Sequence, residues 1–153
     1  MARMMDGLQT AASNGDKLVK EVTLPLVQGI FAFVHQDYGE TTRLMEPLFS
    51  LNARYDQLAR VGGSHAQREV FEDTLTEAYL RSGQSDKAEA MIGHRLRRRE
   101  SPRDLFWLAR AQEAEGNKGA ASSNLRQAQN TWIYADSDSK ETAALVNLAE
   151  RVR

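Results

Sequence analysis

The apolar residues of this chain recur at the three- and four-residue steps of an amphipathic helix. The segment REVFEDTLTEAYLRSG, residues 68–83, shows the pattern, and Gly83 offers the backbone freedom that ends a helix. Residues 85–99, SDKAEAMIGHRLRRR, predict a second helix with its own apolar stripe. Because strands of alternating polarity are missing, we expect an all-α protein. The apolar positions are Val70, Phe71, Leu75, Ala78, Tyr79 and Leu80 in the first segment, and Ala88, Met91, Ile92 and Leu96 in the second.

The pattern repeats along the chain. A shift of 33 residues sets Gly83 on Gly116 and pairs Leu75 with Leu108, Thr76 with Ala109, Ala78 with Ala111, Ala88 with Ala121, and Ile92 with Leu125. A weaker upstream copy at an offset of 47 sets Gln36 on Gly83, Thr41 on Ala88 and Met45 on Ile92. Its 14 additional residues are expected to lengthen the second helix of that pair and to form the RVGGS connection. Periods in this range are typical of stacked helical hairpins.

A chain of 153 residues is long enough for one domain, and we expect a single helical-repeat domain over 1–153. It comprises about three antiparallel helix pairs in a right-handed array and a C-terminal capping helix. The expected boundaries are an N-terminal segment at 1–20, pairs at 22–60, 64–99 and 102–135, and the capping helix at 138–152.

The string VGGSHAQREVF, residues 61–71, has three interpretations: a phosphate-binding loop, a serine–histidine catalytic pair, or the start of a helix. The lysine of a phosphate-binding loop is missing, and no strand precedes the glycines. Adjacent residues at a helix start point in different directions, which disfavours catalysis by Ser64 and His65. Ser64 followed by Gln67 has the spacing of a capping box, so we expect a helix start and no catalytic residues.

Two further helix starts are predicted by the same logic. Ser101 is expected to cap a helix that begins at Pro102 and carries Asp104 near its positive end. Asp138, with Glu141 three residues later, is expected to cap the last helix.

Composition narrows the possible functions. The chain has no cysteine and a net charge of −1, so it lacks thiolate chemistry and the basic excess of a nucleic-acid-binding protein. The longest apolar stretch has 11 residues, against the roughly 20 of a membrane span. The N-terminus lacks the apolar core of a secretory signal. The three histidines lack the spacing of a zinc site. We therefore expect a cytoplasmic protein with no cofactor, metal, nucleic acid or membrane partner.

The repeated pattern resembles the tetratricopeptide repeat, in which small residues lie where two helices cross. The matching positions are Leu75, Tyr79, Gly83 and Ala88, then Leu108, Gly116, Ala121 and Ala128. Gln112 stands where an aromatic residue is usual, and Arg95 where alanine is usual. The strings GGSHAQREVF at 62–71 and FAFVHQDYGETTRLMEPL at 31–48 resemble the C-terminal part of the tetratricopeptide repeat protein 38-like family. This resemblance implies the fold and supplies no catalytic residues.

In such an array the first helix of each pair lines a concave groove that binds peptides. The repeat register predicts partner-binding residues there: Asp73, Glu77 and Arg81 on one helix, and Phe106, Trp107 and Arg110 on another. We therefore expect a non-catalytic protein–protein interaction module that binds a basic or mixed peptide, or a partner helix.

Two alternatives stay open. One is an accessory domain that binds an apolar ligand near Phe31, Phe33, Phe106 and Trp107. The other is binding of RNA or of an acidic protein partner through the arginines of HRLRRR, residues 94–99. We interpret that run chiefly as a solvated last turn, in which only Leu96 faces the core and the cations complement the negative helix end.

The segment LPLVQGIFAFV, residues 24–34, is apolar around its whole circumference. Such a helix needs a cover, which residues 4–20, a second copy of the chain or another protein could provide. The residues predicted to mediate self-association are Leu26, Ile30, Phe31 and Phe33. Pro25 is expected to break or kink the chain there, because it disfavours helix at Leu24.

Overall fold

A computed structural model describes residues 2–49, 57–132, 136 and 138–153. Within these residues the chain is all-helical and has no strand, as the sequence predicted. The helices are α1 (Ala2–Ser13), α2 (Leu24–Val34), α3 (Tyr38–Met45), α4 (His65–Arg81), α5 (Ser85–Leu96), α6 (Pro102–Ala114), α7 (Lys118–Thr131) and α8 (Lys140–Arg151). A π-helical segment precedes α2 (Val19–Thr23), and two 3₁₀ segments follow α3 (Glu46–Leu48 and Gln57–Val61).

The chain divides into two compact units, residues 1–82 and 83–153. In the first unit each helix packs against the next one along the chain: α1 against the π-helical segment and α2, α2 against α3, and α3 against α4. The buried apolar residues of this unit come from the π-helical segment, α2, α3, the two 3₁₀ segments and α4: Val22, Leu26, Ala32, Met45, Leu48, Leu58, Leu75, Ala78 and Tyr79.

Helices α2 and α3 approach each other closely at Gly29. A Cβ atom added at Gly29 would lie 2.4 Å from Cγ of Met45, whose side chain is fully buried. The hydroxyl of Thr41 donates to the Gly29 carbonyl at 3.3 Å and to the Asp37 carbonyl at 2.8 Å. The absence of a side chain at position 29 therefore sets the spacing of this pair.

The expected break at Pro25 takes another form. Leu24 keeps helical angles, φ −64° and ψ −51°, so the prediction that helix is disfavoured there is wrong. The change is one of helix type, from π to α at Thr23–Leu24, and the Leu24 amide donates to the carbonyl of Val19. Because proline has no amide hydrogen, residue 25 contributes no bond to the ladder at this junction.

The second helix of the first pair is shorter than expected. Helix α3 ends at Met45, and the chain continues as a 3₁₀ turn that contains Pro47. The proline ring clashes with the carbonyl four residues earlier and ends a regular α-helix. The prediction that additional residues lengthen this helix is therefore wrong for residues 46–49 and 57–59, and residues 50–56 lie outside the described residues.

In the second unit α5 packs against α6, α6 most extensively against α7, and α7 against α8. Helix α8 contributes Leu145, Leu148 and Val152 to the core that α6 and α7 form. The other buried members of this core are Leu105, Phe106, Ala109, Ala121, Leu125 and Ala128. The C-terminal helix thus covers the α6–α7 pair.

The turns after α2, α4 and α6 share one conformation. Gln36, Gly83 and Gly116, the three positions that the sequence alignment superimposes, have φ values of 63°, 75° and 80°. Gly15, after α1, has φ 94°. After three of these turns an acidic or amide side chain caps the next helix: Asp16 accepts from the Val19 amide, Asp37 from Glu40, and Asn117 from Ala120.

Two predicted caps are confirmed and one is corrected. Ser64 accepts from the Gln67 amide at 3.2 Å, and the Gln67 side chain accepts from the Ser64 amide at 2.6 Å. Ser101 accepts from the Asp104 amide at 3.4 Å. Helix α8 is capped by Ser139 and not by Asp138, since the Ser139 hydroxyl accepts from the Thr142 amide at 3.1 Å.

Candidate functional site

Three of the predicted partner-binding residues lie on α4. Asp73 and Glu77 are half-buried and Arg81 is exposed. Arg81 Nε donates to Glu77 Oε1 at 2.8 Å, and this hydrogen bond, followed by the charge of Glu77, raises the pKa of Arg81. This ion pair neutralises part of the acidic surface that the sequence predicted on α4.

The other three lie on α6, and the structure separates them. Phe106 is 5% exposed and belongs to the core, where its ring centroid lies 6.4 Å from that of Trp132. Trp107 and Arg110 are only half-buried. A partner can therefore reach Trp107 and Arg110, whereas Phe106 is packed inside the unit.

Trp107 lies between two arginines. The guanidinium carbons of Arg103 and Arg110 lie 5.9 and 5.8 Å from the Trp107 ring centroid. Steps of four and three residues place all three side chains on one stripe of α6, which we call the Trp107 stripe. Arg103 was not among the predicted binding residues, although its spacing from Trp107 was the available signal.

The basic run at 94–99 is not wholly solvated. Arg95 is 3% exposed, and its guanidinium donates to Asp104 Oδ1 at 2.6 Å, with Asp104 1% exposed. The prediction that Leu96 alone faces the core is therefore wrong. Burial also removes Arg95 from the surface proposed for RNA, which leaves the exposed residues 97–99.

Gln112, which stands where the repeat usually has an aromatic residue, connects three helices. Its Nε2 donates to Glu89 Oε1 on α5 at 3.0 Å, and its Oε1 accepts from Asn124 Nδ2 on α7 at 2.8 Å. Gln112 is 7% exposed, and a buried amide needs hydrogen-bond partners for both its nitrogen and its oxygen. These two bonds supply them. A polar bridge thus joins α5, α6 and α7 at this position.

Helix α2, which contains the apolar segment LPLVQGIFAFV, is partly covered by other helices of its own unit. Of the four residues predicted to mediate self-association, Leu26 is 5% exposed, Ile30 and Phe33 are half-buried, and Phe31 is 38% exposed. Phe33 packs edge-on against Tyr38, with ring centroids 5.6 Å apart. Helix α1 contacts α2, as the first of the three predicted covers requires, and self-association stays a prediction.

An open cleft of about 510 Å³ lies beside Phe31 in the first unit. Helix α1 contributes one residue to its wall, and α2 with its C-cap His35 and α3 with its N-cap Asp37 contribute the others. The lining residues are Met5, Gln28, Phe31, Ala32, His35, Asp37, Glu40, Arg43 and Leu44.

Comparison with known proteins gives no family: no family model and no solved structure matches this chain. Among the described residues, no group of three or more histidine, aspartate and glutamate side chains is arranged to hold a metal ion. No helix in that part of the chain is long and apolar enough to cross a membrane.

Proposed function

We propose that this chain is a non-catalytic protein-interaction module of the tetratricopeptide type that binds a partner peptide through the Trp107 stripe. The absence of cysteine fits a protein of the reducing cytoplasm.

The recurrence of one turn and one burial pattern supports the repeat arrangement. In each copy the residue five positions after the turn residue is fully buried: Thr41, Ala88 and Ala121 all have 0% exposure. Small residues at these positions allow close packing of neighbouring helices, as stacked hairpins require.

The observation that carries the binding proposal is the position of Trp107 between Arg103 and Arg110. Trp107 also packs against the core of its unit, so the indole is a rigid anchor with part of its surface exposed. Tryptophan and arginine are enriched among the residues that dominate protein interfaces. Stacking on the indole orders the guanidinium groups, which lowers the entropy lost when they bind a carboxylate.

These contacts change the expected partner. The sequence favoured a basic or mixed peptide because it placed Asp73 and Glu77 in the groove. The ion pair between Glu77 and Arg81 weakens that argument, and Arg103 adds a second cation beside Trp107. We therefore propose a peptide in which acidic residues flank an apolar one.

Fluorescence anisotropy with two labelled peptides, Glu-Leu-Glu-Leu-Glu and Lys-Leu-Lys-Leu-Lys, tests the proposal. We expect the glutamate peptide to bind at least about tenfold more tightly, because opposite charges attract and like charges repel across an interface. Arg103→Gln and Arg110→Gln should each weaken its binding about two- to fivefold.

The matched control is Arg126→Gln, which removes the same charge from an exposed position of α7. It should leave binding of the glutamate peptide unchanged. Equal affinity for both peptides, or equal effects of all three substitutions, would contradict the proposal. Displacement of the glutamate peptide by a uridine oligonucleotide, with a steep dependence on salt, would favour RNA binding instead.

A further inference from the structure

The cleft in the first unit has the construction of a ligand site. Gln28, Phe31 and His35 follow one another at steps of three and four residues, so one stripe of α2 forms a wall. Another wall is formed by α3, from its cap Asp37 through Glu40 to Leu44. Met5 of α1 adds a flexible apolar side chain, of the kind that adapts to different ligands.

The apolar part of the cleft centres on Phe31. The ring is 38% exposed, and His35 lies against it with centroids 4.1 Å apart and planes 37° apart. The position of His35 is fixed, because its Nδ1 and the Phe31 carbonyl oxygen are 2.8 Å apart. Phe31 is thus an ordered aromatic surface beside Met5 and Leu44, and a ligand that covers it removes apolar surface from water.

The formal charges of the cleft sum to a negative value. Arg43 binds both carboxylate oxygens of Glu40, with Nε–Oε2 and Nη2–Oε1 distances of 2.6 and 2.5 Å. The hydrogen bond from Arg43 lowers the pKa of Glu40, so both partners are charged and neutralise each other. The exposed carboxylate of Asp37, whose Oδ1 accepts the Glu40 amide at 3.0 Å, supplies the remaining charge.

We propose that this cleft binds an apolar group that carries a cationic nitrogen. Its apolar part would cover Phe31, Met5 and Leu44, and its nitrogen would pair with Asp37 near the aromatic face. A cleft of about 510 Å³ is within the range of small-ligand sites, roughly 300–1,000 Å³. Because the Trp107 stripe contributes no residue here, this inference is independent of the proposed function.

Two eight-carbon probes of opposite charge, octylamine and octanoate, test the inference by NMR titration of the full chain. We expect octylamine to bind at least about fivefold more tightly, and the methyl signals of Met5 and Leu44 to shift. Phe31→Ala should weaken octylamine binding at least about fivefold, because it removes the aromatic surface.

The chain provides a matched pair of charge substitutions. Asp37→Asn and Asp16→Asn each keep an N-cap that asparagine also supports, and only Asp37 lines the cleft. Asp37→Asn should weaken octylamine binding about two- to fivefold, and Asp16→Asn should not change it. Tighter binding of octanoate, or equal effects of the two substitutions, would overturn the inference.

A third probe, acetyl-Leu-Lys-amide, distinguishes the two sources of such a group. Binding of this peptide at the Met5 and Leu44 methyl groups would support a lysine of a partner protein as the ligand. Binding of octylamine alone would support a free amphiphilic amine. Binding of neither probe at these methyl groups would overturn the inference.

Discussion

Arg95 and Asp104 form an ion pair at 2.6 Å whose side chains are 4% and 1% exposed. Arg95 lies in the last turn of α5, and Asp104 lies in the first turn of α6. The carboxylate is therefore near the positive end of a helix as well as near a guanidinium. This pair joins two helices of the second unit across the turn between them.

Removal of one partner should destabilise the protein strongly. Asp104→Ala and Arg95→Ala should each lower the free energy of unfolding by about 3–5 kcal/mol, because each removes one partner of a buried ion pair and leaves the other charge buried. Urea denaturation with a constant m-value would measure the change. Glu40→Ala, which breaks an exposed ion pair, is the control and should have a much smaller effect.

Simultaneous replacement separates the charge effect from packing. Arg95→Met combined with Asp104→Leu should recover most of the stability that either alanine variant loses, because no unpaired charge remains. A double variant as unstable as the two single variants together would show that the pair does not act as a unit.

Local signals in the sequence predicted local structure. The capping box at Ser64 and the helix stop at Gly83 involve residues close in sequence, so spacing and residue type sufficed. The burial of Arg95 depends on the approach of α6, which the spacing of residues within α5 does not encode. A run of arginines has the same pattern whether one of them is buried or all of them are solvated.

In the candidate sites, too, the features set by nearby residues were predicted and those set by the packing of separate helices were not. Trp107 and Arg110 were predicted from the repeat register, and Phe106 was placed on the wrong side of α6. Adjacent helical residues lie about 100° apart, so a small error in the facing direction moves one of them into the core. An apolar ligand near Phe31 was an open alternative, but the other residues of the cleft were not predicted because three separate helices supply them.

The contact at Gly29 predicts opposite effects for two glycine substitutions. Gly29→Ala should lower the free energy of unfolding by about 1–3 kcal/mol, because its Cβ would overlap the buried Met45 side chain. Gly119→Ala, within α7, should raise it by about 0.5–1 kcal/mol, since a Cβ there meets nothing within 4 Å. Thermal unfolding monitored by circular dichroism measures both. Stabilisation by both substitutions would show that α2 and α3 separate without cost.

The turn at Gln36 carries backbone strain. Among the described residues it is the one non-glycine residue with a positive φ, 63°, where its two aligned counterparts are glycine. Gln36→Gly should raise the free energy of unfolding by about 0.5–1 kcal/mol, because the left-handed conformation costs glycine little. Gly116→Ala should lower it by about 1 kcal/mol for the converse reason. A destabilised Gln36→Gly variant would indicate that the glutamine side chain contributes contacts that outweigh the strain.

His94 should make the stability depend on pH. Partial burial, followed by the positive charges of Arg98 and Arg97, lowers the pKa of His94 below its ordinary value of about 6.5. In the window below that value the unfolded chain binds the proton more readily than the folded chain, so protonation favours unfolding. The stabilising contribution is complete above about pH 6.5 and is lost as the pH falls toward the lower pKa of the folded state.

Substitution His94→Gln removes the titrating group, so the difference in unfolding free energy between wild type and variant should change across this window and stay constant above it. Urea denaturation at several values between about pH 5 and 8 measures this difference, and NMR titration of the His94 ring locates the folded-state pKa directly. Curves for wild type and variant that run parallel over the whole range would contradict this account, as would a ring pKa above the ordinary value.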